Sequence, residues 1–126
     1  MSESKNFGQL IRELRLAKKL SQRELADRVA ARLKEEDLGG FNFTYLSKIE
    51  NNRLPSPSIS VIMQLATELE TDSDGLIALA GKTPPDVGEA LKKSEGARAF
   101  FRSAINHNLS ENDWKNLLEN IKKNEK

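Results

Sequence analysis

Nine consecutive residues decide the fold of this chain: Tyr45-Leu46-Ser47-Lys48-Ile49-Glu50-Asn51-Asn52-Arg53. Because residues three and four apart share one side of a helix, the stretch predicts a short helix with two different faces. The apolar face carries Tyr45, Leu46 and Ile49. The polar face carries Thr44, Ser47 and Lys48, and the helix is followed by a polar exit over residues 51–53.

A second helix start lies upstream, in Leu20-Ser21-Gln22-Arg23-Glu24-Leu25-Ala26. Ser21 is a favourable N-cap, and Glu24 three residues later completes a capping-box pattern. Two short helices, the second offering small polar and basic side chains, are what a helix-turn-helix needs to enter the major groove of DNA. DNA binding is therefore the leading interpretation of the sequence.

The whole chain is predicted to be all-α, since no strand alternation or repeat is present. Helix one is expected from about Phe7 to Lys19, and further helices are expected to be capped by Asn42, Ser58, Asp72 or Ser73, and Ser110. Lys82-Thr83-Pro84-Pro85 is the predicted domain boundary. This gives a five-helix domain over residues 1–81 and a three-helix C-terminal module over residues 82–126.

Composition excludes several classes of function. The chain has no cysteine and one histidine, His107, so thiolate chemistry is absent and no metal site is predicted. A Ser-His-Asp arrangement cannot be assembled around a histidine in a polar turn, so we expect neither an enzyme nor a cofactor. No apolar run is long enough to span a bilayer and no leader pattern opens the chain, so a cytoplasmic location is expected.

Charge is distributed unevenly although its total is only +1. Residues 1–54 carry eleven Lys/Arg against eight Asp/Glu, residues 55–81 carry four acids and no base, and residues 82–126 carry nine bases against seven acids. Basic charge thus coincides with the DNA-reading half, which supports DNA binding weakly.

The two motifs, Ser21–Ala26 and Tyr45–Asn51, resemble those of the Cro/lambda-repressor (XRE) helix-turn-helix family. The resemblance covers about residues 7–81 and implies a five-helix lambda-repressor-like domain. It implies that four residues face base edges: Phe43, Thr44, Ser47 and Lys48. It also implies that four others hold phosphate: Gln22, Asn51, Asn52 and Arg53. Arg15 and Glu50 match a pair that forms an internal ion pair in such domains.

The chain departs from this family between helices two and three. Relatives join them by a tight turn, whereas residues 29–42 are longer by about ten residues. Either helix two continues through Leu33 or a loop bulges out, with Leu38, Phe41 and Phe43 tying the insert to the core. Two positions of the Phe43 side chain are equally compatible with the sequence: it contacts a thymine methyl, or it packs under the loop.

The C-terminal module is rich in large apolar residues for its size. A unit of 45 residues rarely supplies its own core, so these side chains are expected to be buried against a partner subunit. The predicted dimerisation residues are Phe100, Phe101, Trp114, Leu117, Leu118 and Ile121. A homodimer would read a palindromic operator as a repressor; the alternative is that these helices only pad the five-helix core.

An XRE domain followed by a small helical module is similar in layout to DdrO-type repressors, which are controlled by a partner zinc metallopeptidase. The resemblance implies that cleavage in the C-terminal module would inactivate the repressor. A function from another class is an antitoxin or protein-interaction adaptor, whose C-terminal helices bind a partner enzyme such as a toxin.

Overall fold

A computed structural model describes residues 6–124 of the chain, and every regular element in that range is an α-helix. The described residues contain no strand, which agrees with the predicted all-α class. The helices are α1 (Phe7–Ala17), α2 (Gln22–Glu35), α3 (Phe43–Glu50), α4 (Ile59–Leu69), α5 (Ser73–Leu79), α6 (Pro85–Lys93), α7 (Glu95–Asn106) and α8 (Glu111–Lys123).

The chain divides into two compact units, one up to Pro84 and one from Pro85. The division into a DNA-binding domain over residues 1–81 and a regulatory module over residues 82–126 stays a prediction. In the first unit α2 packs against both α3 and α4, α1 packs against α3, and α5 packs against α4. The core receives its largest fully buried side chains from all five of these helices: Ile11, Leu25, Val29, Leu33, Leu46, Ile62, Leu65, Leu76 and Ile77.

The local signals that start the helices are confirmed. Ser21 accepts a hydrogen bond from the Glu24 backbone N–H, and the Glu24 carboxylate accepts one from the Ser21 N–H, each at 3.0 Å. Four more residues cap helices by accepting a hydrogen bond from a backbone N–H with the side chain, and one of them, Ser110, also forms a capping box: Asn42, Ser58, Asp72 and Ser110. Each cap satisfies backbone donors that have no partner inside the helix.

The residues between the predicted helices two and three lengthen α2 instead of forming a long loop. Leu33 is fully buried on the same stripe as Leu25 and Val29, which anchors the added turns to the core. On the outer side, Arg32 Nε donates to Glu68 Oε1 of α4 at 2.5 Å, and Arg28 lies 3.9 Å from the other oxygen of Glu68. The first of the two alternatives for this segment is therefore the correct one.

The connection that remains, residues 36–42, is anchored by one aromatic ring. Phe41 is buried and its ring centroid lies 5.0 Å from that of Tyr45. Leu38 and Phe43 are exposed, so the expectation that they also tie the insert to the core is wrong. Phe41 is thus the buried side chain of the connection, and Glu36 at its start accepts a hydrogen bond from Gln64 of α4 at 3.4 Å.

The second unit has almost no interior of its own. α6 packs against α7, and the rings of Phe101 on α7 and Trp114 on α8 are stacked with centroids 6.4 Å apart. Between residues 85 and 124 only Ala104 is buried. No helix within residues 6–124 has the length and apolarity that crossing a membrane requires.

Candidate nucleic-acid interface

The polar face of α3 is open to solvent. Thr44 and Lys48 are exposed, and Ser47 is half-buried. Within residues 6–124 the Lys48 ammonium group makes no hydrogen bond or ion pair, so its charge is available to a ligand. The opposite side of the helix is anchored in the core by Leu46 and Ile49.

Glu50, at the end of α3, is held by a buried ion pair with Arg15 of α1. Arg15 Nε donates to Glu50 Oε2 at 2.8 Å and Arg15 Nη2 donates to Glu50 Oε1 at 2.9 Å, while Arg15 Nη1 donates to the Leu20 carbonyl at 2.8 Å. Arg15 is 7% exposed and Glu50 is 6% exposed. This two-pronged geometry fixes α3 to α1 more firmly than a single contact would, because the guanidinium and the carboxylate are both planar.

Gln22, the first residue of α2, adds a third helix to this contact. Its Nε2 donates to Glu50 Oε1 at 3.0 Å. An amide nitrogen carries two N–H groups, so one remains for the phosphate contact predicted for this side chain. Gln22 therefore joins α2 to α3 and lies at the edge of the exposed polar face.

The three residues after α3 form its C-terminal cap. The Asn52 and Arg53 backbone N–H groups donate to the carbonyls of Ile49 and Lys48 at 3.1 and 2.9 Å, and Asn52 has φ of +57°. This is the Schellman geometry, in which asparagine tolerates the left-handed conformation better than most residues. The Asn51 side chain donates back to the Ser47 carbonyl at 2.8 Å, and the Arg53 side chain is exposed.

Phe43, the first residue of α3, does not pack under the connection. Its ring is 39% exposed, and the guanidinium carbon of Arg23 on α2 lies 5.0 Å from the ring centroid. A cation over an aromatic face at this distance is an attractive cation–π contact. The sequence predicted neither this pair nor the hydrogen bond from Gln22 to Glu50. The two residues of the first pair are 20 positions apart and those of the second are 28 apart, and helical periodicity gives no signal at such separations.

Of the acids on and just after α2, Glu24 is held at the start of the helix, Asp27 is exposed within it, and three others lie at its far end. Hydrogen bonds from the backbone and the side chain of Ser21 lower the pKa of Glu24, which keeps its carboxylate ionised and bound to the helix end. The acids Glu35, Glu36 and Asp37 lie at the other end of α2, about 20 Å along its axis from Gln22. They are too far along the helix to oppose an anion bound beside Gln22.

The structure brings the six apolar residues predicted for dimerisation around one shallow depression on the second unit. Four of them are exposed, namely Phe100, Phe101, Leu118 and Ile121, and Trp114 and Leu117 are half-buried. Clusters of His, Asp and Glu with the arrangement that a metal ion needs are not found between residues 6 and 124.

Comparison with known proteins gives one informative similarity. No protein-family model matches the chain, and no solved structure matches it significantly. The chain is 28% identical over 130 residues to the uncharacterized HTH-type transcriptional regulator RghRB of Bacillus subtilis (strain 168). The alignment covers 93% of this chain and 86% of that protein, so the chain is similar to a protein named as a transcriptional regulator over nearly the full length of both.

Proposed function

We propose that this protein is a transcriptional regulator that binds double-stranded DNA through α3, with the lambda-repressor-like arrangement of α1 to α5. The observation that carries the proposal is the open polar face of α3, where the Lys48 charge has no partner within the described residues. The name of the Bacillus subtilis relative supports the same class of function. A regulator of this kind acts by occupying DNA and needs no catalytic group.

The contacts around Glu50 support this function because they make the reading helix rigid. Arg15 and Gln22 hold α3 from two neighbouring helices, so Thr44, Ser47 and Lys48 are presented in a fixed orientation. Base contacts discriminate only when their donors are placed accurately in the groove. In this proposal Gln22, Asn51, Asn52 and Arg53 hold phosphate and set the register of the protein on the duplex.

Lys48→Ala should relax the base preference of the protein, because a lysine over a base pair donates to guanine O6 or N7. We expect the affinity for the preferred site to fall by about 1–3 kcal/mol, with little change for unrelated DNA. The measurement is selection of bound sites from random duplex DNA, followed by binding titrations on the selected and scrambled sites. Gln22→Ala should instead weaken binding to both sites, because it removes a proposed phosphate contact.

Lys34→Ala is the matched control for Lys48→Ala, since Lys34 is an exposed lysine in the last turn of α2. It should leave the selected sequence unchanged. A Lys48→Ala protein that selects the same sequence as the wild type, with the same discrimination, would contradict the assignment of α3 as the reading helix.

We further propose that the protein is a homodimer and acts as a repressor at a palindromic operator, with the second unit as its dimer contact. Between residues 85 and 124 this unit buries only Ala104, and such a small interior cannot offset the loss of chain entropy on folding alone. If the depressions of two copies of the chain face each other, the exposed apolar side chains of each copy are covered by those of the other. Two-fold symmetry of the protein then matches half-sites about one helical turn apart.

Ile121→Glu should convert the dimer to a monomer. Ile121 is 62% exposed within the single chain, so a glutamate there costs one folded copy little but places a charge in the apolar contact. The measurement is molar mass by light scattering, together with affinity for the selected palindrome. Asn116→Glu introduces the same charge on the opposite face of α8 and should leave the dimer intact. A dimeric Ile121→Glu protein would refute this contact.

The exposed apolar depression also supports a second candidate function, that of an antitoxin or adaptor whose second unit binds a partner enzyme. The two candidates differ in simple experiments. An adaptor would be monomeric when purified alone and would select no DNA sequence, whereas the regulator would be dimeric and would select a palindrome. Inactivation by a partner zinc metallopeptidase stays a prediction from the resemblance in layout.

A further inference from the structure

Arg23 and Phe43 form a contact that has no role in the DNA binding proposed above. They lie on different helices, Arg23 in the first turn of α2 and Phe43 at the start of α3. The Arg23 guanidinium covers the Phe43 ring at 5.0 Å from its centroid, and within residues 6–124 it makes no hydrogen bond or ion pair. An exposed arginine without a carboxylate partner normally samples many conformations, but this one is held against a flat surface.

We propose that Arg23 and Phe43 act as one unit, in which Phe43 positions the Arg23 guanidinium to bind a backbone phosphate of DNA. This inference rests on the proposed function and names a further contact of the same surface. Stacking occupies the face of the guanidinium and leaves the N–H groups at its edges directed away from the ring. Those edges match the oxygens of a phosphate, which arginine binds through two parallel hydrogen bonds.

The phosphate is favoured over a base edge because of the helix that carries the arginine. In helix-turn-helix docking the first helix of the motif crosses the DNA backbone, while the second enters the groove. Arg23 belongs to the first of these helices, α2. Its guanidinium lies against Phe43, the first residue of the second helix, α3. Phe43 thus affects DNA binding through Arg23, as a positioning residue, in addition to any contact of its exposed edge.

A double-mutant cycle on DNA binding tests the coupling, with Arg23→Gln, Phe43→Leu and the double variant titrated against the wild-type selected site at several salt concentrations. Arg23→Gln should lower the slope of log affinity against log salt by about 0.9, the value for one lost phosphate contact, without changing the preferred sequence. Phe43→Leu should weaken binding by about two- to fivefold, as expected for an exposed cation–π pair. In the Arg23→Gln background the same replacement should change affinity by less than about 1.5-fold, because the cation–π pair is already gone.

Two controls separate this coupling from a loss of structure. Phe43→Tyr keeps an aromatic ring and should retain wild-type affinity, and Leu38→Ala removes an exposed apolar residue of the neighbouring connection and should have no effect. Equal effects of Phe43→Leu in both backgrounds would overturn the proposal, as would a change of base preference at one position in the Arg23→Gln protein. A wild-type protein that selects no DNA refutes the proposed function itself, whereas an additive cycle on a tightly bound site refutes only the coupling.

Discussion

Arg15→Met should lower the free energy of unfolding by about 3–5 kcal/mol, because it leaves the Glu50 carboxylate buried with one partner missing. The wild-type carboxylate accepts hydrogen bonds from Arg15 at 2.8 and 2.9 Å and from Gln22 at 3.0 Å. Methionine fills the space of the arginine stem but cannot donate to either oxygen. Urea unfolding followed by circular dichroism at 222 nm measures the change.

The control for this prediction is Glu70→Gln, which removes the exposed ion pair between Lys18 and Glu70. That pair is solvated, so its loss should cost about 0–1 kcal/mol. Combining Arg15→Met with Glu50→Leu should recover much of the lost stability, since buried ion pairs are often replaced by apolar residues at little cost. An Arg15→Met protein as stable as the wild type would show that Glu50 is solvated and that the contact does not fix α3.

Gly8→Ala should destabilise the first unit by about 1–3 kcal/mol through overpacking, although alanine is the better helix former. Gly8 lies in the first turn of α1 where that helix crosses the end of α3. An added Cβ would overlap the carbonyl oxygen of Ile49 and come within 2.7 Å of Asn52 Oδ1. The backbone of α3 would have to move, which also shifts Lys48, so DNA affinity should fall together with the melting temperature.

Gly88→Ala is the matched control, because Gly88 is also helical but has no neighbouring atom within 4 Å of the Cβ position apart from its own helix. There alanine should leave the melting temperature unchanged or raise it, through its higher helix propensity. If Gly8→Ala behaved like Gly88→Ala, the close approach of α1 to α3 would be ruled out.

Local sequence signals predicted the helices of this protein well. Ser21 with Glu24, Asn42 and Ser110 are capping residues whose geometry depends only on the next three or four residues, and the structure confirms each of them. The bidentate contact between Arg15 and Glu50 is present, although its prediction came from a family resemblance and not from the spacing of the two residues.

Features that depend on contacts between distant residues were not predictable in the same way. The charged stretch after Leu33 suits a helix end and a loop equally, and the packing of Leu33 against the core decides for the helix. Phe41 and Phe43 are the same residue type two positions apart, so the sequence does not distinguish them. In the structure Phe41 is packed against Tyr45, whereas the Phe43 ring is covered by Arg23. The closeness of Gly8 to Ile49 has no signature in sequence, since glycine there also fits an ordinary helix start.

The paired arginines of α2 have a consequence for how this molecule would meet DNA. Glu68 pairs with Arg28 and Arg32 and offsets one of their two charges, and the three acids of residues 35–37 follow at the same end, whereas Arg23, Lys48 and Arg53 remain exposed beside α3. Along α2 and α3, exposed positive charge is thus concentrated at the end where the groove would be read. In the long-range field of a polyanion such a body experiences a torque, which would turn its reading end forward before any atom touches the duplex.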